Sequence, residues 1–494
     1  MNVTLLHSKQ VDVAEDALST AILGPGDPAL RAYRQAMMTA VTMITENAIR
    51  ADIHSGVEAD DIRGFLATFD VCPNRGTGVS AALEHVGVPA VRHALDVGNP
   101  ATMAHLHCPV AIPALAAEVL ISATNQSLDS WDQSPFATLV EERVLSWLTG
   151  FMGLPETAGG SFTSGGSQSN MTALYLAAEK QGLAVRRNGV IFTSEQSHFS
   201  IQKSASLLGF AKDAVLTIAT DDEGRMSVPA LQRAIAETAA QGRPLVAVVA
   251  TAGTTDLGAI DPLEGIADIA KEHGLWLHVD AAYGGGLLFS NYRHRLRGIE
   301  RADSIALDFH KMLFQPISCG ALLLGERIHF SPLATKADYL NPEVSIFGDV
   351  PNYVESSVQT TRRSDALKVL MTLRSIGLDG LDELISKTLD NTKAAAGAVR
   401  MRDYLHLAQE PELSTVLFRY VSPHGPERSD EVTLAVRAKL FRKGIAALAT
   451  TVLGGRVHFK LTLLNPHSTP DVIGRVLDAV GEMARELEND HVCP

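Results

Sequence analysis

The chain has 494 residues, of which 46% are hydrophobic and 20% charged, with 42 Lys and Arg against 56 Asp and Glu for a formal charge of −14. That composition excludes general disorder, and the acidic balance argues against a nucleic-acid binder, which carries a basic stripe. The longest apolar stretch, around Pro109 to Ser122, holds two prolines and Glu118 and is too interrupted to span a membrane, while Met1 to Asp16 lacks a cationic segment followed by an apolar one.

From about Asp27 to Ala94 the pattern is helical and polar, broken by loop signals at Pro73-Asn74-Arg75-Gly76-Thr77-Gly78 and Gly98-Asn99-Pro100, and reads as a helical arm over residues 1–105. Two apolar-periodic segments follow, Ile112 to Leu128 and Thr138 to Met152. Beyond Gly159 short apolar runs alternate with amphipathic helices. Val190-Ile191-Phe192 precedes a helix from about His198, Ala214 to Ala219 one opened by Ser227, and Leu245 to Thr251 one opened by Asp261 and Pro262 and closed by Gly274. Leu275 to Asp280, Ser304 to Asp308 and Ala321 to Leu324 are further runs. Continuous Val/Ile/Leu runs between capped helices predict a parallel sheet covered on both faces, so residues 106–375 form a large α/β domain. The remainder, 376–494, reads as a small α+β domain with strands at Ser414 to Val421, Ala446 to Thr450 and Val457 to Leu464 and a last helix from Pro470. Cys72, Cys108, Cys319 and Cys493 have no metal-like spacing, which fits a reduced cytoplasmic protein without disulfides or a metal site.

In a parallel α/β sheet, ligands sit beyond the carboxyl ends of the strands, and four such positions are chemically loaded. The turn Thr163 to Asn170 opens a helix with Gly165, Gly166 and Ser167, where free first-turn amides make an anion site; by itself a turn and cap reads equally well. Asp280 ends an apolar strand and precedes Ala281-Ala282-Tyr283-Gly284; it either caps the next turn or faces a protonated heterocycle. Lys311 follows Asp308-Phe309-His310 just beyond another strand, and His198 follows a third. Singly each is ordinary. Together, an anion cradle, a strand-end carboxylate, a strand-end lysine and a histidine make a consistent set for pyridoxal 5'-phosphate.

On these residues the sequence resembles the group II pyridoxal-phosphate-dependent amino-acid decarboxylases, over most of the chain from about Gly98. The strongest motifs are His278 to Tyr283 and the tetrad Asp308-Phe309-His310-Lys311. The resemblance implies a fold type I enzyme, a homodimer with shared active sites. In it Lys311 is the Schiff-base lysine, Asp280 the partner of the pyridine nitrogen, and Ala282 and His198 the two faces of the ring. Gly166, Ser167 and His310 are phosphate contacts, Thr255 is a polar contact near the ring hydroxyl, and Tyr339 is the loop tyrosine that protonates the α-carbon. Family members often carry Asn and Pro where this chain has Asp308 and Phe309, and a carboxylate would repel phosphate. A lysine that reacts as the free amine leads us to expect cationic or polar neighbours around Lys311.

Within the family, Ala104 to Pro109 and Ser122 to Ser134 look most like the diaminobutyrate and siderophore-pathway lysine branch. The substrate's distal ammonium needs an acceptor, for which Asp129 of one subunit with His107 of the other is the expectation, while Asp132 reads as a cap for the helix near Pro135. The activity implied is decarboxylation of L-2,4-diaminobutyrate. Lysine or ornithine decarboxylation, another pyridoxal reaction such as transamination, and a non-catalytic protein using the glycine turn alone are the alternatives.

Overall fold

The computed structural model describes residues 20–47, 52–337 and 350–489. They fall into two compact units, one of the described residues up to 99 together with 441–446, the other of the described residues within 100–440 and 447–489. The smaller unit contains helices Asp27–Asn47 and Ala59–Ala67 and a helical run from Val79 to Arg92. Its buried Ile53 is pinned through its backbone, its N–H donating to Gly444 O at 2.9 Å and its carbonyl accepting from Asp96 N at 2.8 Å.

The larger unit begins with α1 (Ile112–Thr124), α2 (Pro135–Met152), β1 (Gly159–Thr163), α3 (Gly166–Gln181), β2 (Val190–Ser194), α4 (Ser200–Leu207), β3 (Val215–Ile218) and α5 (Val228–Ala240). It continues with β4 (Leu245–Thr251), α6 (Leu263–His273), β5 (Trp276–Ala281), β6 (Ser304–Asp308) and β7 (Gly320–Leu324). The seven strands form one sheet in the order β1-β7-β6-β5-β4-β2-β3. β6, β5, β4, β2 and β3 run parallel, and every residue of β2, β5 and β6 is buried, as unbroken apolar runs require.

β7 departs from the expected parallel arrangement. It pairs antiparallel with both β6 and β1, because residues 309–319 hold no helix and are too few for a crossover. β1 itself is hidden in the sequence by Gly159-Gly160. A Cβ at Gly160 would stand 2.7 Å from Leu323 Cδ2 and 2.9 Å from Leu145 Cδ2, so the glycine is what lets α2 lie close on the strand. Deeper in the same contact Glu141, fully buried, receives two 2.7 Å hydrogen bonds from Arg362 and one of 3.1 Å from Phe162 N, tying α2 to β1.

Two helix starts also differ from the sequence reading. Ser227 caps α5 through Ala230 N as expected, but Asp261 does not open α6. Its buried carboxylate accepts Met226 N at 2.6 Å and Thr251 N at 2.7 Å, bracing the end of β4. The helix expected from His198 begins at Ser200, which leaves His198 in the loop beyond β2.

The chain then forms α7 (Asp365–Arg400), broken at Gly377 (φ 67°, ψ −177°), followed by β8 (Leu405–Leu407), β9 (Thr415–Tyr420), α8 (Pro426–Arg442), β10 (Ala449–Leu453), β11 (Arg456–Thr462) and α9 (Pro470–Asn489). The last four strands make an antiparallel sheet ordered β10-β11-β9-β8. The three-residue β8 is too short to show a period and escapes sequence reading.

Candidate active site

The chemistry-bearing residues converge where the parallel strands end. Asp280 is the penultimate residue of β5, Asp308 closes β6, Thr251 closes β4, and α3 begins just beyond β1. Between them lies a cavity of about 260 Å³. Gly165, Gly166 and Ser167 form one wall, Asp280 and Ala282 another, and His198, Thr255, His310 and Lys311 complete it, so all nine residues singled out for the cofactor border a single space.

The glycines are there for room. Gly165 adopts φ +140°, and a Cβ on it would meet His310 Cε1 at 2.9 Å; one on Gly166 would meet Ala282 Cβ at 2.9 Å. With no side chains at these positions, the start of α3 at Gly166 and Ser167 borders the cavity, and a helix N-terminus there favours an anion.

Asp280 is held by its own loop and by α3. Its Oδ1 accepts Ala282 N at 3.1 Å and its Oδ2 accepts Asn170 Nδ2 at 2.7 Å. His198 Nδ1 lies 2.8 Å from Ser200 Oγ and accepts Ser200 N at 3.3 Å. Burial lowers the His198 pKa, with the Asp280 carboxylate opposing. His310 is fixed through Nδ1, which lies 2.8 Å from Cys319 O and 3.1 Å from Cys319 N.

Of the cationic or polar neighbours expected around Lys311, the structure supplies polar ones, the nearest being a carboxylate. Lys311 Nζ stands 3.0 Å from Asp308 Oδ2, and His310 Nε2 is 3.6 Å from the same oxygen. Asp308 is 3% exposed, and its Oδ1 is buried with no hydrogen-bond partner among the described residues. That orphaned oxygen is within 3.4 Å of where a Cβ of Gly165 would lie, so it faces the cradle.

Sequence reading gave no role to Ser164, Asn170, Thr251, Gly253 and Tyr283, which also border the cavity. Asn170 lies four residues beyond Gly166, hence on the same helical face, a spacing that could have revealed it. Tyr283 ties the cavity to β9, its hydroxyl 2.7 Å from Ser414 Oγ and 2.9 Å from Thr415 Oγ1.

Neither Asp129 nor His107 borders this cavity within one chain. Asp129 is 6% exposed and its Oδ1 accepts Ser130 N at 3.0 Å; His107 is exposed, and partial burial, His105 and His310 lower its pKa. Asp132 does not cap α2. It accepts the Ser130 hydroxyl at 2.7 Å, and Ser134 holds the N-cap position. Tyr339 lies outside the described residues.

An amine, a fixed carboxylate, a glycine-walled anion cradle and a histidine around one cavity fit pyridoxal phosphate in size and polarity. Among the described residues no His, Cys, Asp and Glu cluster could hold a metal, and no helix is long and apolar enough to cross a membrane. The chain belongs to the pyridoxal-dependent decarboxylase family, whose conserved domain matches residues 88–421, and it is accordingly a pyridoxal-phosphate-dependent carboxy-lyase. It is 63% identical to the L-2,4-diaminobutyrate decarboxylase of Rhizobium meliloti (strain 1021) over 99% of this chain and 98% of that protein. The L-2,4-diaminobutyrate decarboxylase of Acinetobacter baumannii is 37% identical over 97% of this chain and 98% of its own. Among solved structures, the glutamate decarboxylase domain of diaminobutyrate-pyruvate transaminase and L-2,4-diaminobutyrate decarboxylase from Vibrio parahaemolyticus superposes with a TM-score of 0.86 at 35% identity, covering 95% of this chain and 99% of that one.

Proposed function

We propose that the enzyme converts L-2,4-diaminobutyrate to 1,3-diaminopropane and carbon dioxide. The observation that carries this reading is the 63% identity, sustained over 99% of the chain, to a diaminobutyrate decarboxylase.

Bound pyridoxal phosphate supplies the conjugated sink for the electron pair left on the α-carbon when carbon dioxide departs. Lys311 would hold its aldehyde carbon, the α3 amides at Gly166 and Ser167 with His310 its phosphate, and His198 and Ala282 the two faces of its ring. Asp280, anchored by two hydrogen bonds, presents the anion that keeps a proton on the ring nitrogen. Asp308 offers Lys311 Nζ a proton acceptor one hydrogen bond away, at 3.0 Å. Tyr339 is assigned the return of a proton to the α-carbon.

We assign the working form as a homodimer in the cytoplasm. α1 leaves Ile112, Leu115 and Val119 exposed on one face, Phe136 is 73% and Ile317 65% exposed, and helix Asp27–Asn47 leaves Leu30, Met37, Val41 and Ile44 exposed at helical spacing. Apolar surface of that extent on one chain suits a second copy. Cys72, Cys108 and Cys319 are free thiols, as a reducing compartment allows.

Recognition of the distal ammonium is assigned to Asp129 of one subunit with His107 of the other. A hydrogen bond to a charged group is worth roughly 1.5–3 kcal/mol, so Asp129→Asn should lower kcat/KM for diaminobutyrate by about ten- to a hundredfold. The test compares kcat/KM for diaminobutyrate, ornithine, lysine and 2-aminobutyrate in both proteins. Preference for ornithine or lysine in the wild type overturns the substrate, and an unchanged preference for diaminobutyrate over 2-aminobutyrate in the variant overturns the role of Asp129.

A further inference from the structure

Behind Asp280 runs a line of buried polar side chains that the reaction chemistry does not itself require. Trp276, His278 and Asp280 alternate along β5 and therefore share a face, the one against which α3 places Asn170. The parallel register sets His278 beside Ser304 of β6. Trp276, His278, Ser304 and Asn170 are each at most 1% exposed, so every polar atom there must find its partner inside the protein.

The partners fix the direction of each hydrogen bond. Asn170 must turn its amide nitrogen toward the Asp280 carboxylate, which only accepts; Nδ2 reaches Asp280 Oδ2 at 2.7 Å and Ser200 Oγ at 2.9 Å. Asn170 Oδ1 is then an acceptor, so His278 Nε2, 2.9 Å away, carries the proton and donates it. His278 Nδ1 accepts from the Ser304 hydroxyl at 2.8 Å, and Ser304 Oγ accepts the indole N–H of Trp276 at 2.7 Å. Burial lowers the His278 pKa to about 4, which keeps the ring neutral as this pattern requires. All four donors point the same way, toward Asp280, and each polarises the next. On the branch, Ser200 N donates to His198 Nδ1 at 3.3 Å, which makes Nδ1 an acceptor, so the Ser200 hydroxyl 2.8 Å away donates to it while Ser200 Oγ accepts from Asn170. His198 is thereby left with its proton on Nε2.

We propose that Asn170 is the positioning residue of this site: one N–H fixes the Asp280 carboxylate that faces the ring nitrogen, and the other, through Ser200, fixes the tautomer of His198 on the ring face. One side chain thus aligns the cofactor's edge and its face together, and Trp276, Ser304 and His278 hold that side chain in orientation. The assignment rests on the reading of Asp280 and His198 as ring contacts.

The test uses full-length Asn170→Ala, Ser200→Ala and Asp280→Ala. It measures the dissociation constant of pyridoxal phosphate for the stripped proteins by absorbance titration, the visible circular dichroism of the bound cofactor, and kcat and KM at saturating cofactor. Loss of one hydrogen bond to a charged group predicts that Asn170→Ala weakens cofactor binding and lowers kcat by about ten- to a hundredfold each, with KM for the amino acid changed less than threefold and the dichroism band reduced. Ser200→Ala, which cuts only the His198 branch and leaves a methyl-sized group, should give a smaller loss of kcat with cofactor binding within threefold. It reads the branch even if Asn170→Ala fails to fold. If Asn170→Ala, or Ser200→Ala where the former is insoluble, keeps kcat and dichroism within twofold of wild type while Asp280→Ala is impaired, the positioning role is wrong and the ring-contact reading stands. Full kcat, cofactor affinity and dichroism in Asp280→Ala would instead remove the reading on which the proposal rests.

Discussion

Replacing Gly166 with alanine probes the fit between the anion cradle and the ring face. Gly166 lies in ordinary helical backbone, so alanine meets no φ penalty there and would gain up to about 1 kcal/mol of helix propensity. Against that, the new Cβ would stand 2.9 Å from Ala282 Cβ and 3.4 Å from Asp308 Oδ2. Carbon atoms prefer roughly 3.5–4.0 Å, and a methyl attached directly to the backbone cannot swing aside, so α3 and the Ala282 loop must part by several tenths of an ångström. Overpacking of this kind costs about 1–3 kcal/mol. Because the two elements that part are those that would grip the phosphate and the ring, pyridoxal phosphate should bind roughly five- to a hundredfold more weakly, each 1.4 kcal/mol being about tenfold. Absorbance titration of the stripped enzyme reads this, with differential scanning calorimetry reporting a lowered Tm. Gly150→Ala in α2 is the control, since a Cβ there meets nothing within 4 Å. A Gly166→Ala enzyme with cofactor affinity within twofold and an undiminished Tm would refute the account of the cradle.

Three further outcomes test the assigned roles. Lys311→Ala should abolish the visible absorbance of the loaded enzyme and its capture of cofactor on borohydride reduction; capture that persists would move the attachment to another lysine. Tyr339→Phe should slow diamine formation and raise abortive transamination, measured as pyridoxamine phosphate, and normal rates of both would remove its assigned role. His278, with its pKa lowered from 6.5 to about 4, binds its proton less readily folded than unfolded, so its contribution is full above pH 6.5 and is lost as pH falls toward 4. The urea midpoint should fall over that window less steeply in His278→Gln.

Much of the site could be read from the chain because its parts sit at the ends of unmistakable apolar runs. Asp280 ends, and Lys311 and His198 follow, strands visible as Val, Ile and Leu, and the doubly covered sheet makes those ends the place to look. What escaped depends on pairing between distant segments. The direction of β7 follows from a connection without a helix, and β1 is masked by the glycines that α2 requires. A carboxylate at Asp308 reads as unsuited to phosphate and leaves its partner open; that partner is Lys311, three residues on. Asn170 stands in a motif read for its glycines, and its importance emerges only when the β5–β6 register brings His278 to Ser304.

The central claim is tested most directly by following carboxyl-labelled L-2,4-diaminobutyrate with the cofactor-loaded enzyme in deuterium oxide. The account predicts labelled carbon dioxide and 1,3-diaminopropane in equal amounts, with one deuterium on the former α-carbon and no keto acid. Labelled keto acid in place of carbon dioxide, or no turnover of diaminobutyrate where another amino acid is decarboxylated, would contradict it.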